Sequence, residues 1–311
     1  MTQRPLPGPG STDIALSVRT HERAGDRRVD EAWLARVWSD PRSRIVPLAL
    51  TRLPVTEEGD RVRWRTAAEL PGDGLRMFLG MRGDVAHFAV RVDGPLGGPL
   101  DQPLDGGRWT GLREVLGTLQ EPDLGFMVHA VALAEWHASH RFCPRCGGPL
   151  RAEGAGHLLA CDRCGRQQFP RSDPAVIMLV TDDEDRALLG RQERWPEGRY
   201  STLAGFVDPG ESLEDAVVRE VAEETGVEVG EVRYFGNQPW PFPQSLMVGF
   251  FARATSTAIR VDQDEISDAR WFSRDHVRRE TEAGTLVLPG GISISRSLVE
   301  AWYGGPLPGS W

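Results

Sequence analysis

The four cysteines of this chain all fall between positions 143 and 164, in the stretch CPRCGGPLRAEGAGHLLACDRCG. The pattern is C-x2-C, fourteen residues, then C-x2-C, with a glycine after the second cysteine of each pair. No other feature constrains the fold as strongly. Each C-x2-C can close a tight knuckle with both thiolates aimed at one ion, and two knuckles complete a tetrahedral four-sulfur site. A redox dithiol and a disulfide pair are the alternatives, but two matched knuckles at this spacing favour zinc. With thiolates of Cys143, Cys146, Cys161 and Cys164 in all four positions, no place is left for water, so one structural Zn2+ is expected. His157, inside the ribbon, is expected to be a surface or packing residue and not a ligand.

The ribbon, taken as residues 139–170, divides the chain. Residues 1–138 read as a mixed α/β domain. RIVPLAL, RVRWRTA, GLRMFLGM and VAHFAVRV are strand-like, and FMVHAVALAEWHASHRF (126–142) has helical apolar spacing leading into the ribbon. No chemical constellation stands out there, and the Pro-, Gly- and Arg-rich arm before about residue 27 is expected to be flexible. Residues 171–311 shift to apolar strands. PAVIMLVTD and RALLGRQ suggest a hairpin around the acidic turn at 181–185, followed by RYSTLAGFV as a strand. Further strands of a mixed sheet come from residues 227–255, and GISISRSLVEAWY reads as a closing helix.

Composition removes several function classes. At 311 residues two or more domains are expected. A net charge of −9 argues against a general nucleic-acid or membrane-surface binder, though a local basic groove stays open. All 36 basic residues are arginine, which excludes a P-loop lysine, a Schiff-base lysine or a lysine general base. The opening MTQRPLPGPGSTDIALSV has Pro and Gly where a signal peptide needs an apolar core. No apolar run approaches the roughly 20 residues of a membrane span. A cytoplasmic protein with no membrane partner is therefore expected.

The densest acidic stretch, GFVDPGESLEDAVVREVAEETGV (205–227), is helical in pattern between Ser212, a cap, and Gly226, a stop. Leu213, Val217 and Val221 form an apolar stripe, and Glu220, Glu223 and Glu224 converge within roughly 100° of arc beside it. Like charges so close repel. A solvated acidic face is one reading; three hard oxygen donors for Mg2+ or Mn2+ is the other. Arg219 is expected to point away from them and tie the helix to the preceding loop through Glu211.

The full spacing is Gly205, five residues, Glu211, seven residues, Arg219-Glu220-Val221, one residue, Glu223-Glu224, one residue, Gly226-Val227. It resembles the Nudix box at every defined position. Nudix hydrolases cleave a nucleoside diphosphate linked to another moiety, and the resemblance implies an α/β (α+β) architecture: a C-terminal Nudix fold with a mixed sheet between helices (171–311), behind the ribbon and a Nudix-like N-terminal domain. NQPWPFPQS (237–245) is similar to the SQPWPFPxS array of the NADH pyrophosphatase branch, departing at Asn237, and AEWHASHRFCPRCG looks like that branch too.

By resemblance, the metal ligands are the carbonyl of Ala204 with Glu220, Glu224 and Glu265, and Glu220, Glu223, Glu224 and Arg219 form the catalytic set. Glu265 is equally readable as one acid in a polar loop. Glu223 is either a ligand or the acceptor of the water's proton. Phe169 and Phe206 are expected to sandwich the nicotinamide, with core packing as the alternative, and Ser295 to reach the substrate. In the array, Pro239, Pro241 and Pro243 stiffen the backbone. Trp240 and Phe242 offer flat faces, and Gln238, Gln244 and Ser245 hydrogen-bond sugar or base edges. Where some relatives carry an acidic substrate contact, this chain has Gly156. The expected reaction is hydrolysis of NADH or NAD+ to NMNH or NMN and AMP by a homodimer with two or three Mg2+ or Mn2+ ions. Removal of NAD caps from RNA, hydrolysis of ADP-ribose, and a non-catalytic nucleotide sensor are the alternatives.

Overall fold

The computed structural model describes residues 14–17, 19–49, 51–70, 74–92, 107–261 and 265–308. The chain forms two units, one of Val18–Ser172 with Trp240–Gln244, the other of Met1–Ser17, Asp173–Pro239 and Ser245–Trp311. Among the described residues no helix is long and apolar enough to cross a membrane.

The first unit opens with α1 (Glu31–Trp38), capped by the Asp30 carboxylate, which accepts the Trp33 N–H at 2.9 Å. β1 (Arg44–Leu48) and β2 (Arg52–Thr56) follow, then the hairpin β3 (Leu75–Arg82) and β4 (Val85–Arg91). β5 (Gly107–Gly111) and the short α2 (Leu112–Val115) precede α3 (Asp123–Ser139). β1 pairs parallel with β4, β4 antiparallel with β3, and β2 antiparallel with β5. Trp33 and Trp38 of α1 meet Phe78 and Phe88 edge-on, at 5.5 and 5.2 Å between centroids. α3 is apolar nearly all round because it is buried nearly all round, from Leu124 to His137.

RVRWRTA is not a strand here. Its alternation is real, with Val62 buried, but it touches the neighbouring chain only through isolated bridges at Val62 and Arg65. The Val62 N–H and Trp64 Nε1 donate instead to the two carboxylate oxygens of Asp123, each at 2.9 Å. A side chain at the start of α3 has taken the place of a strand partner. Strands β2 and β5, with Arg, Pro and Gly in their short runs, lack the apolar pattern that marks the others.

The ribbon, β6 (Leu150–Glu153), β7 (Leu158–Cys161) and β8 (Gln167–Gln168), is a three-stranded sheet within the same unit. Gly156, buried at φ +86°, explains its own identity: a Cβ would lie 2.8 Å from Met77 Cγ and 3.0 Å from its Cα. The Gly156 carbonyl accepts from His137 Nε2 at 2.8 Å, and His157 Nε2 meets the Phe78 carbonyl at 2.7 Å. His157 is thus a packing residue outside the thiolate group.

The second unit is a six-stranded mixed sheet between helices. Its strands are β9 (Asp173–Thr181), β10 (Ala187–Arg191), β11 (Leu203–Phe206), β12 (Val229–Trp240), β13 (Ser245–Ala254) and β14 (Asp268–Phe272). Order runs β12-β13-β9-β10-β14, with β11 antiparallel to β9. β9 and β10 make the expected hairpin, Ala187 opposite Thr181. α4 (Leu213–Thr225) covers one face, α5 (Arg274–Glu282) and α6 (Ile294–Tyr303) the other. Period-two alternation sorts β9 cleanly: Val176, Met178 and Val180 pack with Val217 and Val221, while Ile177 and Leu179 pack with Leu298 and Trp302. Of the N-terminal arm, residues 1–13 and 18 lie outside the described residues, and Ile14 packs into the α6-side core.

Candidate metal and nucleotide site

α4 starts where Ser212 Oγ accepts the Asp215 N–H at 3.1 Å and stops at Gly226, φ +68°, whose N–H returns to the Ala222 carbonyl at 2.8 Å. With Val217 and Val221 committed to the core, Glu220 and Glu224 are drawn down at the edge of the buried face. Oxygens of Glu220, Glu224 and Glu265 lie within 4.8 Å of one another. Glu220 and Glu224 are buried, Glu265 exposed. Glu223, one turn from Arg219, is half exposed and outside this group.

Strand β11 forms the opposite wall. A Cβ on Gly205 would overlap the Glu220 carboxyl, at 1.9 to 2.0 Å from its atoms. Only glycine lets backbone and carboxylate approach so closely. Ala204, Gly205 and Phe206 line a cleft of about 640 Å³ with Arg219, Glu220 and Glu265.

Arg219 does not point away from the glutamates. Its Nε and Nη2 donate to the two oxygens of Glu211, each at 2.8 Å, the loop tie expected. Its Nη1 also reaches Glu220 at 2.8 Å and Glu223 at 2.9 Å, and Nη2 reaches the Phe206 carbonyl at 2.9 Å. The guanidinium fork is long and five-donor, so one residue serves both loop and helix. Hydrogen bonds from Arg219 and the Asp208 N–H hold the Glu211 carboxyl down at about 2. Arg219 is itself held well above its ordinary range by Glu211.

The remaining carboxylates have no such relief. Glu224 is 5% exposed, and its Oε2 is buried without a hydrogen-bond partner. Burial first, then the charges of Glu220 and Glu265, pushes its carboxyl up to about 8. Burial raises Glu220 too, against the pull of Arg219. An orphaned buried oxygen among converging carboxylates is the chemistry of a hard divalent cation site, and these residues fit one.

The array residues divide into two behaviours. Gln238 is fully buried, and its Nε2 donates to the carbonyls of Ala15 and Ile292, each at 2.7 Å, while its Oε1 accepts from Ile294 N at 3.0 Å. Its amide, expected to face a substrate, is spent on holding α6 and the N-terminal segment. Ser295 is likewise buried, bonded to Thr202 Oγ1 at 2.8 Å and Ser201 Oγ at 2.9 Å. Trp240 and Phe242 meet edge-on at 5.2 Å, with Arg113 of α2 4.6 Å over the Phe242 ring. Pro241 is buried, Pro239 and Gln244 partly buried, Pro243 exposed, and Ser245 begins β13 opposite Asp173. Phe169 and Phe206 are 65% and 61% exposed, in different units, so neither is a core residue.

In the ribbon the Cys143, Cys146, Cys161 and Cys164 sulfurs lie within 4.8 Å of one another, and none is in a disulfide. The two knuckles match: Gly147 N–H returns to the Cys143 carbonyl and Gly165 N–H to that of Cys161, each at 2.9 Å, both glycines at φ +70°. Sulfur pairs at 3.8 and 3.5 Å fit a tetrahedron with ~2.3 Å metal–sulfur bonds, whose edge is about 3.8 Å. The N–H groups of Arg145 and Cys146 pull the Cys143 thiol down to about 7, favouring the thiolate a metal needs.

Comparison with known proteins places this geometry. The NUDIX domain family matches residues 171–287, and the NADH pyrophosphatase-like rudimentary NUDIX domain matches residues 43–136. The chain is 43% identical over 206 residues to NAD-capped RNA hydrolase NudC of Stutzerimonas stutzeri, covering 65% of this chain and 71% of that one. It is 48% identical over 182 residues to NAD-capped RNA hydrolase NudC of Mycobacterium bovis, covering 56% of this chain and 58% of that one. Against NAD-capped RNA hydrolase NUDT12 of Homo sapiens it is 42% identical over 196 residues, 59% of this chain but only 42% of that one. The chain thus spans about two-fifths of the length of the primate relatives it matches. It belongs to the Nudix hydrolase family, in the branch that joins a NUDIX domain to an NADH pyrophosphatase-like rudimentary NUDIX domain.

Proposed function

We propose that the chain hydrolyses the diphosphate bond of NADH and NAD+, giving NMNH or NMN and AMP, and by the same chemistry opens the NAD cap of RNA 5′ ends, releasing NMN and leaving a 5′-monophosphate. The observation that carries this reading is the orphaned Glu224 oxygen, grouped within 4.8 Å with oxygens of Glu220 and Glu265, two residues that line the cleft together with Gly205. The names of the relatives favour the capped-RNA activity in particular.

Glu220, Glu224 and Glu265, with the Ala204 carbonyl, would hold two or three Mg2+ or Mn2+ ions, which when bound would offset the diphosphate charge and lower the pKa of a water so that it could give up a proton and attack phosphorus. Glu220 or Glu223 takes that water's proton. Arg219 orients both through Nη1 and fixes the Phe206–Glu211 loop. In the second unit Phe206 is the flat surface offered to base or nicotinamide, whereas Gln238 and Ser295 position the elements around it. The cysteine cluster holds a structural Zn2+. A cytoplasmic homodimer completes the reading, its mass measurable by light scattering.

The test is turnover of purified protein with Mg2+ or Mn2+ on NADH, NAD+, ADP-ribose and NAD-capped RNA at equal concentration, products resolved by chromatography. NMNH and AMP from NADH, or NMN and 5′-phosphorylated RNA from the cap, is the expected result. Preference for ADP-ribose would refute the NAD assignment, and no cleavage with metal bound would turn the site into a sensor.

A further inference from the structure

The first unit contains a second cleft, of about 1100 Å³, that takes no part in the site above. β3 and β4 contribute Arg76 and Arg91, the run from α3 into the ribbon contributes Arg141 and Phe142, and the ribbon contributes Leu150 and Glu153. Among the described residues that line it the charge is one-sided: Glu153, the single acid among them, is bonded to Arg151 at 2.9 Å. Arg76 lies 4.2 Å over the Trp38 ring, which fixes the guanidinium without neutralising it. Arg141 is exposed with no carboxylate partner among the described residues. Phe142, beside it, is 64% exposed, a large apolar ring left in water.

The surroundings extend the same charge. Between residues 141 and 171 six arginines stand against two acids, Glu153 and Asp162, and both acids are bonded to Arg151. A zinc with four thiolates would carry a net −2, which leaves the segment positive on a chain whose net charge is −9. General solubility does not call for such a reversal. Cationic side chains around an exposed aromatic ring are the pairing that tracks a phosphate backbone and stacks an unpaired base.

We propose that this cleft binds single-stranded RNA, with Arg76 and Arg141 against phosphates and Phe142 stacked on a base. The inference rests on the capped-RNA part of the proposed function and names where the body of that RNA docks. A mononucleotide or free phosphate shares the chemistry. The cleft's volume, above the roughly 300–1000 Å³ of single-ligand pockets, favours a chain.

The experiment is fluorescence anisotropy of a labelled, uncapped 20-nucleotide RNA without divalent metal, for the full chain, Arg141→Glu and Phe142→Ala. Two phosphate contacts predict a log–log salt slope of about −1.4 on single-stranded RNA. Arg141→Glu should weaken binding at least tenfold and flatten that slope, and Phe142→Ala should weaken it about fivefold or more. NADH turnover should be unchanged in both variants, and AMP or inorganic phosphate at equal phosphate concentration should not displace the RNA. Wild-type failure to bind RNA, or variants that bind as well as wild type, would overturn the assignment. So would displacement by AMP, a parallel loss of NADH turnover, or a changed oligomeric mass, which would make the cleft a subunit contact. Binding is read without turnover, so failure of the NAD assignment leaves this measurement standing, and failure here leaves the NADH assay standing.

Discussion

Replacing Glu224 by glutamine should do two opposite things, and the structure gives the scale of each. In the unfolded chain a glutamate titrates near 4.5, whereas burial and the charges of Glu220 and Glu265 push Glu224 up to about 8. The folded state therefore holds a proton through the window from 4.5 to 8 that the unfolded state has lost. Stability falls as pH rises across that window and levels off above it. A shift of that size corresponds to at most about 5 kcal/mol. Glutamine cannot ionise, so metal-free Glu224→Gln should match wild type near pH 5 and exceed it at pH 8.5. At roughly 2–4 °C per kcal/mol for a domain of this size, the gain at high pH is at most about 10–20 °C. The assay is thermal unfolding from pH 5 to 8.5 of protein dialysed free of Mg2+ and Mn2+ without chelator, with zinc content checked so that the ribbon is untouched. Mn2+ should then raise the wild-type melting temperature, more at pH 8 than at pH 5.5 where a proton competes, and leave the variant unmoved. The same variant should lose at least two orders of magnitude in kcat, about 2.7 kcal/mol of barrier. Parallel pH–stability curves for the two proteins would refute the reasoning, and near-normal turnover would remove Glu224 from the metal site.

Three further outcomes are expected. Gly205→Ala drives a methyl group into the Glu220 carboxyl and should cut turnover at least tenfold at a stability cost of about 1–3 kcal/mol; kcat measured against Mn2+ concentration checks it, and an undisturbed metal response would contradict the contact. Arg219→Lys keeps the charge but cannot make the paired bonds to Glu211. A loss of about 1–3 kcal/mol and a fall in kcat are expected, and an unchanged melting curve would show that the fork is dispensable. Cys143→Ser should lower zinc content and melting temperature together, with activity per folded molecule retained. A folded, zinc-loaded variant without turnover would refute a purely structural ribbon.

What could be read from the sequence was whatever local chemistry decides. The caps of α4, Ser212 and Gly226, and the stripe Val217–Val221 are set by residues a few positions apart, and so are the paired knuckles of the ribbon. What could not be read depended on distant partners. RVRWRTA alternates like a strand, yet Asp123, some sixty residues on, takes the Val62 N–H and the Trp64 indole N–H, leaving the Arg63 and Arg65 N–H groups to donate to strand carbonyls. Gln238 looked like a substrate contact because an amide in an aromatic array has no local partner; its partners are Ala15, Ile292 and Ile294. Arg219 was expected to serve the loop alone, since an angular count along a helix ignores the reach of a guanidinium that bends back to Glu220 and forward to Glu223. The arginine cleft of the first unit joins β3, β4 and the ribbon, and no window of sequence brings those together.

The acids of the box helix and its loop do two different jobs, and Arg219 is what separates them. Glu211, and more loosely Glu223, are neutralised by its fork, so they act as scaffold and cost the fold little. Glu220 shares that cation but remains buried, and Glu224 receives nothing. A chain selected for stability alone would place an apolar residue at 224, as it does at Val217 and Val221 on the same stripe. Keeping an ionisable group there, against burial and two like charges, makes sense only if a cation arrives from solution to offset both. Glu224→Leu then provides the sharpest contrast with glutamine. It should be at least as stable as metal-free wild type at pH 8.5 and wholly inactive. If instead Glu224→Leu unfolds the domain, the carboxyl is a structural group and the metal reading of the helix fails.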